Sequence, residues 1–211
     1  MPDAAARPRA RRAAPEQRRA AILDAALAEF ALHGFAGARV EDVARRARVS
    51  KGAVYLYFPA KQALFEALVR RDIGPKVAMA KGFLDAYDGP LEPALQRLAD
   101  MLAGLIDSGR TPIYPRLLVA EAPRLPELVG FYRREVVGVL LDALSGLFAR
   151  AMAHGEIARD DPDMLAHLFV GPVLKALMWA LVFAPLDAEP FRAGPYLAAH
   201  IRLFLKGLRH A

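Results

Sequence analysis

A chain of 211 residues, 55% of them hydrophobic and none of them cysteine, can bury a sizeable core but has no disulfide framework, thiolate zinc site or thiol nucleophile. The formal net charge is +6, and its placement says more than its size. Residues 1–61 hold 12 of the 29 Lys and Arg against 6 of the 23 Asp and Glu, which leaves 17 of each for the rest. A basic first third is the electrostatic footprint of a nucleic-acid binder, although a merely solvated basic face would give the same count.

Residues 1–14 carry Arg7, Arg9, Arg11 and Arg12 and no apolar stretch, so a disordered basic arm is expected there rather than a signal peptide. After it almost everything reads as helix. No run alternates apolar and polar residues long enough for a strand, and no repeat of 20–50 residues occurs. The expected fold class is all-α, with about nine helices: a three-helix head over 15–60 and a helical body over 61–211.

The first helix is expected from Pro15 to His33, with Pro15 suited to a first turn and Gly34 to the position past the end. Ile22, Leu23, Ala26, Leu27 and Phe30 form its apolar stripe. A short helix over 40–47 and another over 51–58 follow, the latter capped by Ser50 and stopped before Pro59. A longer helix starts near Lys61, and Gly74-Pro75 should kink or interrupt it. Asp88-Gly89-Pro90 opens a helix to about Asp107. After a loop over 108–115, a short helix runs to about Glu121. Further helices are expected over 126–155, over 162–183 (opened by Asp161-Pro162) and over 190–208. The longest apolar run, Leu168 to Pro185, is broken by Lys175 and falls short of the roughly 20 apolar residues of a membrane span. A buried helix of a cytoplasmic protein is expected there, with no membrane partner.

The informative segment is Gly34 to Leu64. A short helix, a tight turn and a second short helix make a helix-turn-helix. Ala44 is small enough for a close helix crossing, and Val43, Val49, Val54 and Phe58 are spaced to fill a small shared core. Ser50, as the cap, leaves Lys51, Gly52 and Ala53 in the first turn. Lys51 has the reach and donors for guanine O6 and N7, while Gly52 and Ala53 permit close approach to base edges. Leu56, three residues beyond Ala53, can touch a thymine methyl. Tyr55 and Tyr57 suit flanking phosphates, as does Lys61 at the start of the next helix, with Arg39 as an addition.

Residues Val43-Ala44-Arg45-Arg46-Ala47-Arg48-Val49-Ser50-Lys51-Gly52-Ala53-Val54-Tyr55-Leu56-Tyr57-Phe58, continued by Pro59-Ala60-Lys61-Gln62-Ala63-Leu64, resemble the N-terminal signature of TetR/AcrR-type regulators. The resemblance covers about residues 17–66. A generic helix-turn-helix would not require Tyr, Phe, Lys and Leu at these spacings. Arg48 stands where the family usually has Gly, and a left-handed backbone there would cost a non-glycine residue roughly 1 kcal/mol. Ala38 and Arg39 replace a Ser/Thr pair that commonly precedes the second helix. Glu121-Ala122-Pro123-Arg124-Leu125-Pro126-Glu127-Leu128 resembles a stretch of AefR-like C-terminal domains.

The resemblance implies a homodimer that sets two recognition helices into successive major grooves of a near-palindromic double-stranded operator. It also implies a small apolar or amphipathic effector that binds the body and releases the DNA. The helix over 163–183 is apolar nearly all round, so one face is expected on a partner and another towards a ligand. The partner seam is assigned to Leu165, Leu168, Phe169, Val173 and Leu177, with Leu197, Ile201, Phe204 and Leu208 of the last helix. Ligand-lining candidates are Met101, Leu105, Tyr114, Phe131, Tyr132, His167, Lys175, Met178 and Trp179, although ordinary core positions would give the same pattern. The five histidines show no metal-ligand spacing, and no nucleophile–base pair or phosphate loop is readable, so no cofactor, metal or enzymatic activity is expected. An activator, or a regulator without a ligand, fits the same residues. An all-helical carrier or interaction protein with an incidental basic head is the rival from another class.

Overall fold

The computed structural model describes residues 14–108, 113–189 and 191–208; the expected basic arm therefore lies outside the described residues, save Ala14. The order is α1 (Pro15–Gly37), α2 (Val40–Arg46), α3 (Lys51–Tyr57), α4 (Lys61–Asp72), α5 (Gly74–Ala86), α6 (Leu91–Asp107), α7 (Ile113–Glu121), α8 (Pro126–Tyr132), α9 (Val139–Ala153), α10 (Pro162–Val182) and α11 (Ala193–Leu208). A π-helical turn over Arg133–Gly138 joins α8 and α9 into one 28-residue rod, so there are ten rods among the described residues. The tenth arises because Gly74-Pro75 breaks the helix outright rather than kinking it. The π turn was not legible in the sequence. A Cβ on Gly138 would come within 3.1 Å of the Arg133 carbonyl oxygen, so glycine lets that turn close.

The chain divides into two compact units, one ending at Phe65 and the other beginning at Glu66, so the division falls inside α4. In the first unit, α1 runs to His33 and then changes direction at Gly34, whose φ of 70° suits glycine. Ile22, Leu23, Ala26 and Phe30 are fully buried, as are Val43, Val54, Phe58, Leu64 and Phe65. Each large apolar side chain buried there contributes about 1.5–3 kcal/mol against exposure.

In the second unit α9, α10, α6 and α11 pack around Leu95, Leu98, Leu147, Phe148 and Phe169, and α5 lies on α9. Loose helix ends are tied by distant side chains. Glu156 accepts from the Leu91 amide at 2.7 Å where the N-cap of α6 is a proline, and Asp107 accepts from the Ala193 amide at 3.2 Å where α11 begins. Asp161 caps α10 as its sequence suggests, accepting from the amides of Asp163 and Met164.

The nine residues assigned to the partner seam divide by burial. Leu165, Phe169, Val173, Leu197, Ile201 and Leu208 are buried within the protomer, and Leu177 and Phe204 pack against the same core. Of the nine, Leu168 alone is bare, at 55% exposure. Apolar periodicity identifies a buried face but not what buries it, and here the α10 and α11 stripes are covered by helices of the same chain. The opposite face of α10 is the open one: Met164, Leu168, Leu174, Met178 and Val182 stay exposed, and Leu203 joins them on α11. α10 is therefore not buried all round. Among the described residues α1, the α8–α9 rod and α10 are long and apolar enough to cross a bilayer; α1 buries its apolar side in the first unit, whereas the α10 stripe stays bare.

Candidate nucleic-acid interface

The interface is built by α2, the turn after it and α3. Two anchors fix α2. Val43 and Ala44 are buried, and the Arg46 guanidinium donates to Glu29 of α1 at 2.7 Å, the Glu29 carboxylate being only 5% exposed. The turn closes at Arg48, whose φ of 55° is the one positive value among the described non-glycine residues. The left-handed position usually held by glycine is thus held by arginine at the small cost expected. The Ser50 hydroxyl accepts from the Ala53 amide at 3.1 Å, which caps α3.

Within α3 only Val54 is buried, with Phe58 just past the end. Everything else on this seven-residue helix looks outward or lies at its margin. Lys51, Gly52, Tyr55 and Leu56 are exposed, and Ala53 and Tyr57 are half-buried. A Cβ at Gly52 would meet nothing closer than the Ser50 hydroxyl at 4.0 Å, so glycine serves clearance there, not internal packing. Leu56 is 83% exposed and Tyr55 43%. An apolar side chain left that bare on a short helix, between a lysine and two tyrosines, is a contact surface with polar and methyl-seeking parts. Arg39 caps nothing with its side chain and is exposed at the start of α2.

Lys61 is placed otherwise than its sequence position suggests. Its ammonium donates to the carbonyls of Ala36 and Ala38, both at 3.0 Å, and lies 4.8 Å from the Phe35 ring centroid. It ties the α1–α2 connection to the start of α4 through two of its three donors. Glu41, missed in the sequence reading, sits beside Lys51 with its carboxylate 2.6 Å from the ammonium. The hydrogen bond from Lys51 lowers the Glu41 carboxyl pKa, and the same bond raises that of Lys51, so both stay charged at neutral pH. An acid in the first turn of α2, ten residues before the lysine that opens α3, was the available signal.

The nine ligand candidates do not form one site. Tyr114 is buried in the body with its phenol donating to Asp72. Burial and that carboxylate push the phenol pKa well above its ordinary value. Burial would raise the Asp72 carboxyl, but bonds from Arg71 and Tyr114 outweigh it and hold it low. Tyr132 is pushed up to about 12 by burial, and Phe131 is buried with the Arg70 guanidinium 4.7 Å from its ring centroid. Lys175 and Trp179 form a second group. The Lys175 ammonium lies 4.5 Å from the Trp179 ring and 4.3 Å from the Tyr196 ring, so this charge is held by aromatic faces. Met101 packs on the main core, Leu105 is half-buried, and His167 and Met178 are exposed. A shallow depression lined by Tyr87, Arg150, His154 and Glu156, among others, includes none of the nine.

Comparison with known proteins agrees with this geometry. The model of bacterial regulatory proteins of the tetR family matches residues 22–68, and that of the AefR-like transcriptional repressor C-terminal domain matches residues 92–206. The chain is 33% identical over 147 residues to the HTH-type transcriptional regulator RutR of Escherichia coli K12, a match spanning 69% of this chain and 66% of that protein. It is 31% identical over 157 residues to the HTH-type transcriptional repressor KstR of Mycolicibacterium smegmatis, spanning 70% and 69%. Among solved structures, the transcriptional regulator FadR of Bacillus subtilis in complex with stearoyl-CoA superposes with a TM-score of 0.74 at 18% identity, over 90% of this chain and 100% of that one.

Proposed function

The chain belongs to the tetR family of bacterial regulatory proteins, and from that premise we propose that it is a homodimeric, cytoplasmic repressor released from its operator by a small apolar or amphipathic effector. The observation that carries the DNA-reading part is the outward side of α3. Lys51, Tyr55 and the 83%-exposed Leu56 are presented together on a helix anchored by Val54 and Phe58. Lys51 donates to guanine, Gly52 and Ala53 admit close approach, and Leu56 meets a thymine methyl. Tyr55, Tyr57 and Arg39 take the flanking phosphates, and Ser50 holds the helix in register.

The second copy covers the bare α10 stripe of Met164, Leu168, Leu174, Met178 and Val182, with Leu203 of α11. That stripe supports an isologous interface because it is apolar, continuous along one helix and unclaimed by its own chain. The effector binds the body. The acyl-CoA in the FadR complex supports an effector with an apolar tail, and the coupling to DNA expected of such a switch is about 1–3 kcal/mol.

Selection of bound sequences from a random DNA pool, followed by salt-dependent titration on the enriched site, tests the reading. An enriched near-palindrome whose affinity falls steeply with salt is expected. Absence of salt-sensitive affinity for any DNA by the intact chain would overturn it and favour an interaction protein.

A further inference from the structure

Glu41 is out of place on a surface that meets phosphate. It stands in the first turn of α2, exposed, beside Arg39, and every nearby DNA phosphate would repel it. Its position is nonetheless fixed. The carboxylate Oε1 lies 2.6 Å from the Lys51 ammonium, and the two side chains are about equally open to solvent, 53% for Lys51 and 47% for Glu41. The Tyr55 ring supports the ammonium from one side, with its centroid 5.8 Å away. Two short helices therefore present one positive and one negative group, side by side, on the outward side of the recognition helix.

The edge of a G·C pair in the major groove carries the matching pattern. Guanine shows two acceptors, N7 and O6, and cytosine beside it shows the N4 amino donor. Lysine alone satisfies the guanine half and leaves the cytosine N4 donor without an acceptor. We propose that Glu41 and Lys51 act as one reading unit for a single G·C pair in each half-site, Lys51 donating to guanine and Glu41 accepting from the cytosine N4 amino group. Both groups have capacity for this while keeping their mutual bond, since an ammonium has three donors and a carboxylate about four acceptor sites. An A·T pair breaks the match. Its thymine offers the O4 acceptor where Glu41 requires a donor, so the carboxylate is left desolvated against another oxygen. Glu41 is then the group that rejects thymine, and its repulsion from phosphate is the cost of that discrimination.

The inference rests on the DNA-reading function proposed above, and its test separates the two. The intact protein, Glu41→Ala and Glu41→Gln are each taken through selection from a random DNA pool. Affinities are then measured on the enriched site and on the same site with its selected G·C pair changed to A·T. The wild-type chain is expected to lose at least tenfold on that change and Glu41→Ala about threefold less than the wild type, keeping the share that Lys51 reads at guanine O6, with Glu41→Gln between them. Glu41→Ala should also bind unrelated DNA several-fold more tightly, because an anion has left the surface. Thermal melting of both variants shows whether the fold is kept. An unchanged preference in Glu41→Ala, with affinity raised or lowered equally on all sequences, would overturn the reading unit and leave Glu41 as a mere counter-charge, with DNA recognition intact. Failure of the wild-type chain to enrich any sequence would overturn the DNA-reading function and this inference with it.

Discussion

The two units of this chain each leave apolar surface uncovered, but in opposite ways. The head bares one large aliphatic side chain on α3, Leu56, set among Lys51, Gly52 and the exposed Tyr55 ring. The body bares a row along α10, from Met164 to Val182, with neighbours that are mostly apolar as well. The company of an exposed apolar residue decides its meaning. A lone leucine flanked by donors matches a surface that is itself mixed, such as the groove edge of a base pair. A continuous stripe matches another stripe. The head also keeps a small core and carries long polar side chains on α3, whereas the body gathers rings in its core, as in the Phe148, Phe169 and Phe204 cluster.

The largest effect expected from breaking this contrast comes from putting one charge on each kind of α10 or α11 face. Ile201 is 2% exposed inside the protomer, so Ile201→Glu buries an unpaired carboxylate and should unfold the body, seen as loss of the cooperative thermal transition. Leu168 is 55% exposed, so Leu168→Glu should leave folding nearly intact and give monomers by sedimentation at micromolar concentration, with operator affinity much reduced. A folded, dimeric Leu168→Glu protein would remove α10 from the interface.

A second pair sharpens the division of labour within the head. Lys51→Ala should cost roughly 1–3 kcal/mol per half-site and relax preference at one operator position, with little change in melting temperature. Lys61→Met removes the donors to the Ala36 and Ala38 carbonyls, which are charge-assisted bonds near 3.0 Å. It should lower head stability by about 1–2 kcal/mol, discounted for partial exposure, and weaken binding to all sequences alike. If Lys61→Met instead changed the salt dependence of binding without changing the melting temperature, its ammonium would be a phosphate contact after all.

How much of this was legible in the sequence differed between the units for the same reason. In the head, function depends on residue types at fixed spacings around a tight turn, and the chain prints these directly: Ser50 as cap, Arg48 at the left-handed position, Val54 and Phe58 as anchors. The internal bonds of Lys61 were not legible because only the fold brings the carbonyls of Ala36 and Ala38 to a lysine some 25 residues along the chain. Glu41 went unseen because its significance lies in its distance to Lys51, ten residues away. In the body, periodicity located the apolar stripes of α10 and α11 correctly, yet spacing cannot say which helix covers a stripe. The seam was therefore placed on the face that packs within the protomer. The ligand candidates scattered because aromatic residues fill cores as readily as they line sites.

The smallest expected effect concerns pH and belongs to the body alone. The His200 ring packs at a tilt against both Phe169 and Phe204, with centroids 5.5 and 5.4 Å away, and its Nε2 lies 3.1 Å from the Phe169 carbonyl oxygen. Burial disfavours the imidazolium, and the carbonyl, which favours it, does not make up the difference, so the His200 pKa falls below its ordinary value. A histidine depressed in the folded state contributes full stability above the unfolded-state pKa of about 6.5, and that contribution is lost as pH falls through the folded value. The body should therefore melt at an unchanged temperature from pH 8 down to about 7 on this account, and at a lower one as pH falls below about 6.5. Because the ring is partly open to solvent, the loss should be small beside the effects of the variants above. His200→Phe keeps the aromatic stack and removes the titrating group, so the difference in melting temperature between variant and wild type should grow in the variant's favour as pH falls from 7 to 5. The carboxylates titrating in this range are common to both proteins and cancel in that difference. A difference independent of pH would mean that His200 is solvated well enough to charge in place, and that its stacking, not its protonation state, is what the body uses.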